Sequence, residues 1–157
     1  DALVFKLTNA VCESYNKSWI IVNECRLRVL GRNKIVFNFN ATLLQPTNNI
    51  VLHTQIFKKA NGYKPWLINY TIDSCRFMRK SYNPFAIYIN SIYISFTNFN
   101  HTCPFSGDLI VNGFYLQVDM LKGLPIPNGD YLLAMNWYLY KKKQLSTHLY
   151  FTFMEDL

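Results

Sequence analysis

The chain has 157 residues, half of them hydrophobic and 16% charged, with a formal charge of +7. That is about one domain's length, with enough apolar material for a sizeable core. No apolar run approaches the roughly 18 residues that span a bilayer, so a membrane-spanning helix is not expected.

The chain opens on "DALVFKLTNA", without a basic segment leading into an apolar one, and any signal peptide is expected to have been removed already. The first predicted strand is 2–10, with Leu3, Phe5 and Leu7 on one side. The second runs over about 18–30, where Cys25, Leu27 and Val29 face in and Glu24, Arg26 and Arg28 face out. The third is 34–44, ended by Pro46. Strands at 50–59 and 64–73 flank the turn signal Asn61-Gly62. Then the pattern changes. Asn83-Pro84 suits a cap followed by proline at the first helical position, and Phe85, Tyr88, Ile89, Ile92 and Phe96 recur at helical spacing. Asn90 interrupts any alternation there, so this segment reads as a helix. Strands follow at 108–112, 114–120, 130–140 and 145–154, the last two forming a hairpin around "KKKQ". Eight or so alternating strands and one helix predict a mainly β chain. The expected architecture is an immunoglobulin-like antiparallel β-sandwich in one domain, residues 1–157, with the helix inserted between Cys75 and Cys103.

The four cysteines include no C-x-x-C pair, which fits two disulfides in an oxidising compartment. Three connectivities are open. Cys12–Cys25 with Cys75–Cys103 is favoured because each pair closes a local loop. Sequons at Asn16, Asn40, Asn69 and Asn100 point the same way. Period-two spacing places Asn40 and Asn69 on polar strand faces, where a glycan can extend into solvent. Secretion accounts for the cysteines and the sequons together.

Little in the chain reads as catalysis. His101 and Cys103 form neither a zinc pair nor a nucleophile–base pair, because the remaining cysteines and histidines stand alone. Phosphate-loop, serine-hydrolase and metalloprotease motifs are absent, and the nine acidic residues are scattered. No enzyme, metal or cofactor is expected. The basic runs 26–28, 76–80 and 141–143 read as solvated edges and turns, and edge lysines discourage sheet-to-sheet aggregation. Nucleic acid is not expected as a partner, because the aromatics fall on apolar faces and the cations lie opposite or in loops.

The stretches "CRLRVLGRN", "FKKANGYKPWLINYTIDSCRFMRK", "NHTCPFSGDLIVN" and "LPIPNGDYLLAMNWY" follow one another in the order and spacing of a known family. Over nearly its whole length the chain resembles an insect-expanded family of small secreted proteins of uncharacterised function. That family is similar to the CheB chemosensory proteins and lies near the ML lipid-recognition superfamily. The resemblance implies an ML-like sandwich that binds a lipid or other hydrophobic ligand between its sheets. The family's cysteines match Cys12, Cys25, Cys75 and Cys103. No catalytic residues come with the resemblance.

On the residues themselves, the candidates for a pocket wall are Phe37, Phe39, Trp66, Ile68, Tyr70, Leu133, Met135, Trp137 and Phe151. A plain aromatic-rich core would use the same positions. Arg76, Arg79 and Lys80 are candidates for an anionic headgroup at the mouth. The alternative is a secreted protein-interaction module with a closed core, whose partner is an extracellular protein or receptor.

Overall fold

A computed structural model describes residues 3–32, 34–123 and 125–155. Eight strands run in chain order as β1 (Leu3–Ser14), β2 (Ile20–Gly31), β3 (Lys34–Thr47), β4 (Ile50–Lys59), β5 (Tyr63–Asp73), β6 (Phe105–Phe114), β7 (Gly129–Leu139) and β8 (Lys142–Glu155). Helices α1 (Ser74–Arg79) and α2 (Pro84–Tyr93) lie between β5 and β6. The strands form two antiparallel sheets, β1-β8-β7-β4-β5 and β2-β3-β6. The expected β-sandwich is therefore present.

Alternation sets which face each strand buries. In β4, Ile50, Leu52, Thr54 and Ile56 are buried and their neighbours are less so. The β7–β8 hairpin turns through Tyr140 and Lys141, both at positive φ (51° and 70°). That is the turn whose twist matches the flanking strands. Tyr140 has no glycine freedom, but its ring packs on Trp19 at 5.5 Å and its hydroxyl accepts from the Asn48 amide at 3.1 Å.

Several expectations need correction. Val29 does not face in: it is 70% exposed and its neighbour Leu30 is 54% exposed. Adjacent strand residues point to opposite faces, so neither face of this hairpin end is covered. Strand β3 does not stop at Pro46 but runs to Thr47. Its ladder to β6 is irregular between Leu43 and Thr47, so the missing proline N–H breaks no bond there. Strand β1 continues to Ser14, and its expected first residue, Ala2, lies outside the described residues. Residues 114–120 are not a strand: β6 ends at Phe114, and Val118–Gly123 form a 3₁₀ helix.

The helix expected after Asn83 is α2. Asn83 Oδ1 accepts from the amides of Phe85 and Ala86, and Pro84 occupies the first turn. Phe85 is not on its buried face, being 48% exposed; Ala86 and Ile89 are buried. A second, shorter helix precedes it. In α1, Asp73 Oδ1 caps the Arg76 amide at 3.1 Å, while Cys75 and Phe77 are buried.

These helices answer a mismatch. Five strands face three, so part of the larger sheet has no opposing strand. Both α1 and α2 pack on β5, and α1 also packs on β4. There Leu52, Ile56, Ile68, Tyr70 and Ile72 share a buried cluster with Phe77, Ala86 and Ile89.

Two disulfides fix this arrangement. Cys12–Cys25 joins β1 of one sheet to β2 of the other, and Cys75–Cys103 ties α1 to the segment leading into β6. Both pairs are those expected from the local loops. Replacing Cys12 and Cys25 together with alanine should lower unfolding free energy by about 3 kcal/mol, on the chain-entropy scale for a loop of this length. Urea denaturation checks this, and an unchanged midpoint would mean the bridge does not restrain the sheets.

Candidate functional site

Between the sheets lies an apolar cavity in which the centre of a water molecule has about 210 Å³ to move. Its wall takes Tyr131, Leu133, Met135, Trp137 and Leu139 from β7, which are alternate residues along one strand face. Strand β8 adds Leu145, Thr147, Leu149 and Phe151 by the same alternation. Phe37, Phe39 and Leu43 of β3 stand opposite, on the smaller sheet. Helix α1 contributes Ser74, Phe77 and Met78, and α2 contributes residues including Tyr88, Ile89 and Tyr93.

Of the nine wall candidates, Phe37, Phe39, Trp66, Leu133, Met135, Trp137 and Phe151 line this cavity. Ile68 and Tyr70 do not. They are buried in the cluster that the helices cover. Alternation holds along β5 from Trp66 to Ile72, with Leu67 71% exposed on the other face, and of this inward row Trp66 and Ile72 line the cavity. The α2 wall residues are legible as a helix from their spacing, but that spacing does not show which layer the helix meets. Asn90, which broke the alternation, also lines the cavity.

Among the described residues, the wall carries no Asp, Glu, Lys, Arg or His. Four of its polar side chains are engaged within the protein. The Tyr88 hydroxyl donates to the Met120 carbonyl, and the Tyr131 hydroxyl donates to the Pro127 carbonyl at 2.5 Å. Trp137 Nε1 donates to Thr147 Oγ1 at 3.1 Å. Ser74 Oγ is different: it is buried without a hydrogen-bond partner. Burial pushes the Tyr131 hydroxyl, on the wall, up to about 12, and that of Tyr70, in the same buried cluster, likewise. Tyr93 is also raised, first by burial and then by Tyr70.

A shallower cleft outside the cavity is lined by α2 residues together with Gln117, Asp119 and Met120. It shares Tyr88 and Ile92 with the cavity wall, so these two side chains stand between the cleft and the interior.

The headgroup candidates Arg76, Arg79 and Lys80 are exposed and off the wall, and the Arg76 guanidinium lies 4.2 Å from the centre of the Tyr82 ring. His101 is exposed. Its ring lies 4.3 Å from that of Phe105, and Cys103 is held in its disulfide, so the two form no nucleophile–base pair. Among the described residues, no three His, Cys, Asp or Glu side chains gather as a metal site. No helix among them is long and apolar enough to cross a membrane. Asn69 and Asn100 are exposed and Asn40 is half-buried. Asn16 Nδ2 is committed to Gln144 Oε1 at 3.0 Å.

Fold and site together describe a disulfide-stapled β-sandwich with a helical insert over an apolar cavity. Residues 52–133 match the family described as Protein of unknown function (DUF1091), and the chain belongs to that family. The matched segment runs from β4 into the middle of β7 and includes both helices and the Cys75–Cys103 bridge. No curated protein matches the chain.

The buried tyrosines give a pH test. Tyr70 and Tyr131 keep their protons in the fold where an unfolded chain ionises. Their contribution to stability is whole below about pH 10 and is lost as pH rises toward 12. Tyrosinate absorbance should therefore show a fraction of the 11 tyrosines ionising only with alkaline unfolding. Titration of all of them in the folded protein near pH 10 would contradict their burial.

Proposed function

We propose that this protein is a secreted, non-catalytic carrier that holds a lipid or other hydrophobic ligand between its two sheets. The observation that carries this reading is the cavity: its wall includes the inward row of β7 and, among the described residues, bears no charged side chain. A core that only had to fill itself would close at organic-crystal density. An apolar lining with a few placed polar groups is the usual form of a small-molecule site.

The four stretches that resemble the CheB-like family near the ML superfamily support the same reading. So do the disulfides, which suit an oxidising compartment. Of the four sequons, Asn40, Asn69 and Asn100 suit glycosylation better than Asn16. A glycan on Asn16 would displace the hydrogen bond from its Nδ2 to the buried Gln144. An anionic headgroup at Arg76, Arg79 or Lys80 would sit outside the cavity.

Two measurements test the proposal. Protein from insect cells should carry a co-purifying small molecule, visible by native mass spectrometry and removed by organic extraction. After extraction it should bind an apolar fluorophore saturably. Leu133→Trp, which fills the middle of the cavity, should weaken that binding by about tenfold or more while circular dichroism stays unchanged. Repeated recovery of bare protein with no fluorophore binding would sink the proposal in favour of an interaction module with a closed core.

A further inference from the structure

The β2–β3 hairpin ends in two adjacent apolar residues that nothing covers: Val29 is 70% exposed and Leu30 is 54% exposed. Neighbours along a strand point to opposite faces. Contact with one flat protein surface would bury one of the two and leave the other in water. A medium that surrounds the tip buries both, and the headgroup–acyl boundary of a bilayer is such a medium. Scattered exposed apolar residues need no explanation; what sets this pair apart is its rim.

The rim is basic. Arg26 and Arg28 precede the pair and Arg32 and Lys34 follow it, all four exposed. Register sets Val29 against Ile35 and Gly31 against Lys34, so Arg28 and Lys34 flank the tip from the two strands. The nearest acid along the chain is Glu24. It lies 3.8 Å from Arg26, with side chains 43% and 66% exposed, and such a pair neutralises little. From residue 25 to residue 72 the sequence holds seven Lys and Arg and no Asp or Glu. The other three cations, Lys58, Lys59 and Lys64, border the β4–β5 turn. The chain leaves the tip along β3, reverses after Thr47 and returns along β4, so that turn lies at the same end of the sandwich. Asp130 and Glu155, at the start of β7 and the end of β8, are acids of that end. Long basic side chains reach back to the level of lipid phosphates while an apolar tip sits deeper.

We propose that this end of the sandwich docks on an anionic bilayer surface, with Val29 and Leu30 in the headgroup–acyl boundary and Arg28, Arg32 and Lys34 on lipid phosphates. Neither Val29 nor Leu30 lines the cavity, so the proposal stands apart from the carrier reading.

The test is flotation of the full chain with vesicles of phosphatidylcholine alone or mixed with phosphatidylglycerol, with circular dichroism to check that each variant folds. Binding should need the anionic lipid and fall as salt is raised. Val29→Ser with Leu30→Ser should weaken it by about tenfold or more, and so should Arg28→Gln with Arg32→Gln. Lys141→Gln with Lys142→Gln removes the same charge from the β7–β8 hairpin at the opposite end, and should change binding by less than about twofold. Leu30→Trp should add a blue-shifted emission on the mixed vesicles. No binding to the mixed vesicles, or equal binding to phosphatidylcholine alone, would overturn the proposal. An equal loss from the lysine pair would make net charge the cause and overturn the tip. Salt-sensitive binding that survives Val29→Ser with Leu30→Ser, without a shift in Leu30→Trp, would overturn insertion.

Discussion

Five strands facing three is the constraint from which the rest of this structure follows. Two stacked sheets bury their inner faces against each other, but a three-stranded sheet cannot cover a five-stranded one. The exposed remainder of β4 and β5 carries Leu52, Ile56, Ile68, Tyr70 and Ile72, which must leave water. The chain meets this by inserting α1 and α2 there. Helices meet a sheet less evenly than strands do, since their side chains stand at 3.6-residue spacing and the sheet's at two. The space between the layers borders this helix-covered region, and α1 and α2 supply part of its wall.

The covalent links hold the layers around that space. Cys12–Cys25 fixes the distance between sheets where β1 meets β2. Cys75–Cys103 anchors the start of the helical insert to the strand that returns to the smaller sheet. Polar locks add to this. Trp19 Nε1 donates to the fully buried Thr47 hydroxyl, and Gln144 Nε2 donates to the Leu139 carbonyl at the base of the β7–β8 hairpin. A hydrogen bond that satisfies a buried group specifies one arrangement more than it adds net stability.

The sequence was most readable where one rule acted alone. Alternation through Leu133, Met135 and Trp137 marked β7 and its inward face, and Asn83-Pro84 marked the start of α2. Loop length sufficed to favour the two cysteine pairings. Readability failed where tertiary context competed with a local rule. Val29 alternates correctly but sits on a hairpin end that no layer covers. Pro46 looks like a strand breaker yet falls in an interrupted part of a ladder. Trp66, Ile68 and Tyr70 lie on one face of β5, but Ile68 and Tyr70 are buried with residues of the helices and only Trp66 of the three lines the cavity. Helix α1 is one and a half turns long, too short for periodicity to reveal.

The central claim is that the space between the sheets is open to an apolar guest. Xenon tests this without assuming a ligand, because it enters dry apolar cavities and needs no hydrogen bonds. Titration of the extracted protein with xenon, followed by methyl-resolved NMR, should give saturable shifts at Leu133, Met135, Leu139 and Leu149, all on the wall. Leu133→Trp should abolish them. Weak, linear shifts that are the same in both proteins would mean that side chains already fill the interior, and would contradict the account.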